Sequence, residues 1–151
     1  MNIKEIRRIL SLGENQNVEF KSSLDEIESI GHNICAFLNT SGGYIIIGID
    51  SKGKGNGINE LIEIEKFKND ISDNLMPKSL ISFEIESFEN KKILIIEIPL
   101  GSDIPYSYKN NVYIRENDIT LQANIDTIRD MIMRRQIEPE RWERRFSDAD
   151  I

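Results

Sequence analysis

The chain has 151 residues, with 19 Lys plus Arg against 26 Asp plus Glu and a formal charge of -7. That balance excludes a generally basic nucleic-acid surface, because neutralising phosphates takes cations, while leaving room for a local basic groove. A single cysteine, Cys35, excludes an intramolecular disulfide, and no run approaches about 18 apolar residues, so neither a membrane span nor a signal core is expected and a cytoplasmic location is.

A chain of this length forms one domain that buries roughly 70% of its extended-chain surface. Asn2 and Glu5 have the spacing of a helix cap, and Ile3, Ile6, Ile9 and Leu10 recur at helical period up to Gly13. Asn17 to Lys21 alternates, with Val18 and Phe20 on one face and Glu19 and Lys21 on the other, which predicts a short strand. From Asp25 to about Asn39, Ile27, Ile30, Ile34, Phe37 and Leu38 form one helical stripe. Gly42-Gly43 then predicts a left-handed or crowded turn. The β-branched run Tyr44 to Ile49 that follows reads as a central strand covered on both faces.

Ser51 to Gly57 is glycine-rich and breaks the pattern; it does not match a phosphate-cradling P-loop and reads as a mobile, hairpin-like connection. Leu61, Ile64, Phe67, Ile71 and Leu75 mark a further helix closed by Met76-Pro77. Ile81 to Glu86 and Lys92 to Ile98 predict an antiparallel hairpin whose turn lacks the favoured Asn-Gly pair. Val112 to Arg115 is another short strand, and Asn124 caps a helix carrying Ile125, Ile128, Met131 and Ile132. Residues 1–137 therefore predict an α+β domain: a mixed, largely antiparallel sheet with helices mainly on one side. Residues 138–151 are charged and weakly periodic, a solvated tail or a linker to a missing C-terminal region. The basic residues Arg134, Arg135 and Arg141 to Arg145, with Trp142 among them, read by default as a solvated helix face, with a nucleic-acid or partner contact as the alternative.

The candidate chemistry is a group of Glu14, Glu19, Lys21 and Asp50. If the strands holding Glu19 and Asp50 are neighbours, three carboxylates could gather around Mg²⁺ or Mn²⁺, hard ions that take oxygen ligands, and Lys21 could stabilise a scissile phosphate. The alternative is that all four are solvated polar positions in a chain with 26 acidic residues. His32 and Cys35 are three apart on a helix, but no second His or Cys exists to complete a zinc shell.

The order of these motifs is informative. Glu14-x-x-x-x-Glu19-Phe20-Lys21, then Ala36-Phe37-Leu38-Asn39-Thr40-Ser41-Gly42-Gly43, then Gly48-Ile49-Asp50, with Pro105-Tyr106 and Val112-Tyr113-Ile114-Arg115, resembles the Schlafen AlbA-like family over about residues 10 to 135. The resemblance implies a DNA-binding domain, the N-terminal part of a bacterial transcriptional regulator followed by an ATPase-like region. It also implies a second reading, since some eukaryotic relatives cleave RNA with a Glu, Glu, Asp cluster that Glu14, Glu19 and Asp50 match. Those relatives carry a duplicated core, so this single copy would act as a homodimer. Many relatives carry Gly after the Tyr-x-Arg motif, where this chain has Asn117. A third reading is a dimerising interaction module. Lys21, Lys109 and Arg115 are the cations expected to meet DNA or structured RNA if they share a patch.

Overall fold

The computed structural model describes residues 1–58 and 61–135. The tail at 138–151, with Trp142 and Arg141 to Arg145, lies outside the described residues. Helix α1 (Ile3–Leu12) begins where expected: Asn2 Oδ1 accepts the Glu5 N–H at 2.9 Å, satisfying one of the donors a helix start leaves free. It stops at Gly13, whose φ of 75° suits a residue without a Cβ.

Strand β1 (Val18–Lys21) is followed by helix α2 (Ile27–Thr40) and strand β2 (Gly43–Ile47). The two strands pair in parallel, Glu19 opposite Ile45 and Lys21 opposite Ile47, so α2 is a crossover connection. Gly42-Gly43 makes the turn between them tight. Gly42 has φ 65° and its N–H bonds Phe37 O at 2.7 Å, while a Cβ on Gly43 would lie 2.5 Å from Asn17 O. Strand β2 ends two residues sooner than the apolar run, because Gly48 turns to φ 101° and both Gly48 and Ile49 donate to Lys21 O.

Helix α3 (Leu61–Asn74) leads into β3 (Leu75–Met76), and β4 (Ser82–Phe88) forms the predicted hairpin with β5 (Lys91–Ile98). Its two-residue turn is Glu89-Asn90, at φ 51° and 62°, the positive-φ pair that hairpins favour, here without glycine. The main sheet runs β1-β2-β5-β4, mixed and mostly antiparallel, with β2 inside it as the uninterrupted apolar run predicted. Two small ribbons complete the fold. One pairs β3 with β6 (Ser107–Tyr108), and the other pairs β7 (Tyr113–Glu116) with β8 (Ile119–Gln122). Strands β3 and β6 are too short to announce themselves by alternation, while β8 does alternate, Ile119-Thr120-Leu121-Gln122, but was not among the predicted strands. A final helix, α4, covers 125–135, with Asn124 Oδ1 accepting the Thr127 N–H at 2.9 Å.

Helix α1 lies on one face of the sheet with Ile6, Ile9, Val18, Phe20, Ile46, Phe88, Ile93 and Ile95. Helices α2 and α3 cover the other face with Ile34, Phe37, Ile45, Ile47, Phe67, Ile71, Leu94 and Ile96. The chain is α+β as expected. Among the described residues, no helix is long and apolar enough to cross a membrane.

Candidate functional site

Alternation along β7 sends Tyr113 and Arg115 inward against α2, and this places a guanidinium where the apolar face of a helix meets β1. The Arg115 side chain is 1% exposed. A buried cation is tolerated only when paired and hydrogen-bonded, and Arg115 is both. Its Nη2 lies 2.7 Å from Glu19 Oε2 and donates to Asn15 O at 2.8 Å and Val18 O at 3.2 Å. Its Nη1 donates to Thr120 Oγ1 at 3.1 Å and reaches Asn33 Oδ1 at 3.5 Å, and the Cζ stands 4.8 Å from the centre of the Phe37 ring. The Arg115 backbone N–H closes the set by donating to Thr40 Oγ1 at 3.0 Å. One residue thus ties the loop before β1, β1 itself, α2 and the β7–β8 ribbon together.

The ion pair is close but off-axis, since neither Glu19 Oε2 nor Arg115 Nε has a well-directed hydrogen-bond partner. Burial pushes the Glu19 carboxyl above its ordinary range, and the Arg115 guanidinium only partly offsets that. Lys21 lies 3.5 Å from Glu19 Oε1 and donates to Ser29 Oγ at 2.7 Å. Glu14 Oε1 accepts the Phe20 N–H at 3.1 Å, so this carboxylate pins the loop to β1. Asp50 stands beyond the end of β2, where its Oδ1 accepts the N–H groups of Lys52 and Lys54, both at 2.9 Å. Those backbone donors, the Lys54 N–H foremost, hold its carboxyl below the usual range.

The structure therefore brings Glu19 and Lys21 together, with Glu14 near enough to act on Glu19, and leaves Asp50 occupied in its own loop. Among the described residues, no three His, Cys, Asp or Glu side chains are grouped to share a metal ion. The donor set does not fit Mg²⁺ or Mn²⁺ as arranged, because Glu19 faces two cations and Asp50 faces two N–H groups. The cation patch drawn from the sequence is likewise not assembled. Arg115 is internal, Lys21 is held by Glu19 and Ser29, and Lys109 is half-exposed and paired with Glu28.

A second polar centre was not predicted. Asn39 is buried on α2, where its Nδ2 donates to Tyr106 O at 2.9 Å and Tyr113 O at 2.8 Å while its Oδ1 accepts the Tyr106 N–H at 2.7 Å. The available signal was Asn33 and Asn39 standing among the apolar residues of the C-terminal part of α2, which asks for buried partners. Cys35 lies beside this centre, its Sγ 3.2 Å from Tyr106 O, and burial pushes its thiol up to about 11. His32 stacks on Tyr113 with ring centres 4.1 Å apart.

Residues 14–124 match the model of the Schlafen, AlbA_2 family. The chain belongs to that family. Solved structures share the fold of this Schlafen AlbA_2 chain. The DIP2311 protein from Corynebacterium diphtheriae superposes with a TM-score of 0.63 at 16% identity, over 81% of this chain and 26% of that one. This chain thus spans about a quarter of the DIP2311 length. The N-terminal domain of an ATP-dependent DNA helicase RecG-related protein from Nitrosomonas europaea gives a TM-score of 0.54 at 19% identity, over 70% of this chain and 78% of that one. No curated protein matches the sequence. Within this Schlafen AlbA_2 chain, Asn117 takes φ 54° in the β7–β8 turn, a left-handed conformation that Asn reaches more easily than most residues. The Gly-to-Asn departure therefore costs the turn little.

Proposed function

We propose that this chain is a nucleic-acid-binding domain, the N-terminal part of a longer regulator, and that its buried Glu19–Arg115 centre is the framework holding the binding face in shape. The observation that carries this reading is the Schlafen AlbA_2 match across 14–124. The same fold at the start of a protein named as related to a DNA helicase supports it in kind. A dimeric assembly and a C-terminal ATPase-like region belong to the same proposal.

The nuclease reading draws less support. For Glu14, Glu19 and Asp50 to hold a divalent ion together, Glu19 would have to leave Arg115 and Asp50 would have to release two backbone donors. Stranding a buried guanidinium in that way is costly. The test is equilibrium binding of a mixed-sequence DNA duplex, its single strand and an RNA hairpin over a range of salt, repeated with Mg²⁺ or Mn²⁺ and the nucleic acid examined for cleavage. Saturable binding that weakens steeply with salt, with the nucleic acid left intact, supports the proposal. No binding at low salt contradicts it, and metal-dependent cutting abolished by Asp50→Asn moves the assignment to a nuclease.

A further inference from the structure

The glycine-rich segment, read from sequence as a loose connection, is folded. Asp50 N donates to Lys54 O at 2.9 Å, Asp50 Oδ1 takes two N–H groups of the loop, and Ile49 bridges to Gly55. This closed loop holds Lys52 and Lys54 outward, both exposed. It also rests against two other elements. A Cβ on Gly53 would lie 4.0 Å from Leu10 O at the end of α1, and one on Gly55 would lie 3.4 Å from Phe88 Cδ1 at the end of β4. From the hairpin, exposed Lys91 sends its Nζ to Gly55 O at 3.3 Å. From α1, exposed Arg7 places its Cζ 5.9 Å from the centre of the same Phe88 ring.

Arg7, Lys52, Lys54 and Lys91, four cations from three elements, therefore stand on the segments that meet at the buried Phe88 ring. Among the described residues none of the four makes an ion pair within 4.0 Å, whereas Lys21, Lys68, Lys109, Arg115 and Arg135 each do. Two carboxylates share the surface, Asp50, whose charge also acts on Lys52 and Lys54, and Glu89, near Gly55, so the four cations outnumber them by two. Exposed Lys4 and Arg8 continue the positive face along α1, with Glu5 beside them. In a chain of charge -7 this is a concentrated exception.

We infer that this face, formed by Arg7, Lys52, Lys54 and Lys91, is where the phosphate backbone of nucleic acid sits; the inference rests on the nucleic-acid reading above. The spread of the cations over three elements fits a repeating polyanion better than a single small anion. Phe88 is only 4% exposed and offers no platform for a base, so contact is with the backbone and independent of sequence. A duplex is accordingly bound at least as well as a single strand.

The test compares the parent chain with a Lys52→Gln/Lys54→Gln/Lys91→Gln variant and with a control, Lys66→Gln/Lys78→Gln, in cations placed elsewhere. Binding of the labelled duplex, single strand and RNA hairpin is followed by anisotropy against salt, and circular dichroism verifies that each variant is folded. The inference expects the patch variant to lower the log–log salt slope by about one for each cation removed, uniformly across sequences, with the control near the parent. A folded patch variant that binds like the parent, or a control that weakens as much, overturns the inference while leaving nucleic-acid binding standing. A parent that binds none of the three probes overturns both.

Discussion

Arg115 illustrates how a residue's type can mislead about its place. An arginine in a Tyr-x-Arg motif reads as a phosphate ligand, yet strand alternation carries it inside, where two backbone carbonyls and Thr120 take its donors and Glu19 pairs with its charge. Arg115→Met leaves the Glu19 carboxylate with Lys21 alone and removes the bonds to Asn15, Val18 and Thr120, and is expected to cost up to about 3–5 kcal/mol in urea unfolding. Arg115→Lys is also expected to destabilise, because a point charge cannot replace the fork. His32 supplies a pH-dependent prediction. Desolvation lowers its pKa from 6.5, with Glu28 opposing, so the folded state resists protonation more than the unfolded chain does. Stability is therefore full above 6.5 and falls as pH drops through the depressed folded value. His32→Phe keeps an aromatic ring against Tyr113, and as His32 is the only histidine, the Tm difference between the two proteins isolates this loss. Parent Tm should fall relative to the variant in mildly acidic buffer; parallel curves would contradict the assignment.

At the scale of elements, the long periodic segments were legible and the short ones were not. The apolar stripes of α1, α2 and α3 and the unbroken run of β2 carry their own signal, since each must bury a face. Strands β3 and β6 have two residues each and exist because tertiary partners place them, which no local pattern encodes. Asn39 is the residue that connects the two kinds of element, joining α2 to the chain around β6 and β7. Asn39→Leu leaves the Tyr106 N–H and two carbonyls without this partner and is expected to cost at least about 2 kcal/mol. Denaturant midpoints for this variant and for an exposed control such as Asn69→Leu in α3 check it. Gly43→Ala tests the crowded turn in the same assay, since its Cβ would meet Asn17 O at 2.5 Å and force β1 and β2 apart. The expected result is a loss well above that of a typical exposed Gly→Ala change.

For the whole molecule, motif order was enough to place the chain in its family, but it could not say which side chains converge. The sequence grouped Glu14, Glu19 and Asp50, whereas the fold engages each with a different set of partners. It set aside the glycine loop, whose cations cluster only because α1, β4 and β5 meet it in space. Cys35 gives a global handle on the same architecture. Buried, with its thiol pushed to about 11, it is expected to stay unreactive toward a thiol reagent until the domain opens, and to react at a rate that follows unfolding in urea. The central claim is that the domain meets nucleic acid through its glycine-loop face and keeps the Glu19–Arg115 centre as internal framework. The most direct test is a backbone-amide NMR titration of the chain with a mixed-sequence DNA duplex. The account predicts shifts concentrated at Arg7, Lys52 to Gly55 and Glu89 to Lys91, with Glu19 and Arg115 little moved. Shifts centred on Lys21, Lys109 and Arg115 instead, or none at low salt, would contradict it.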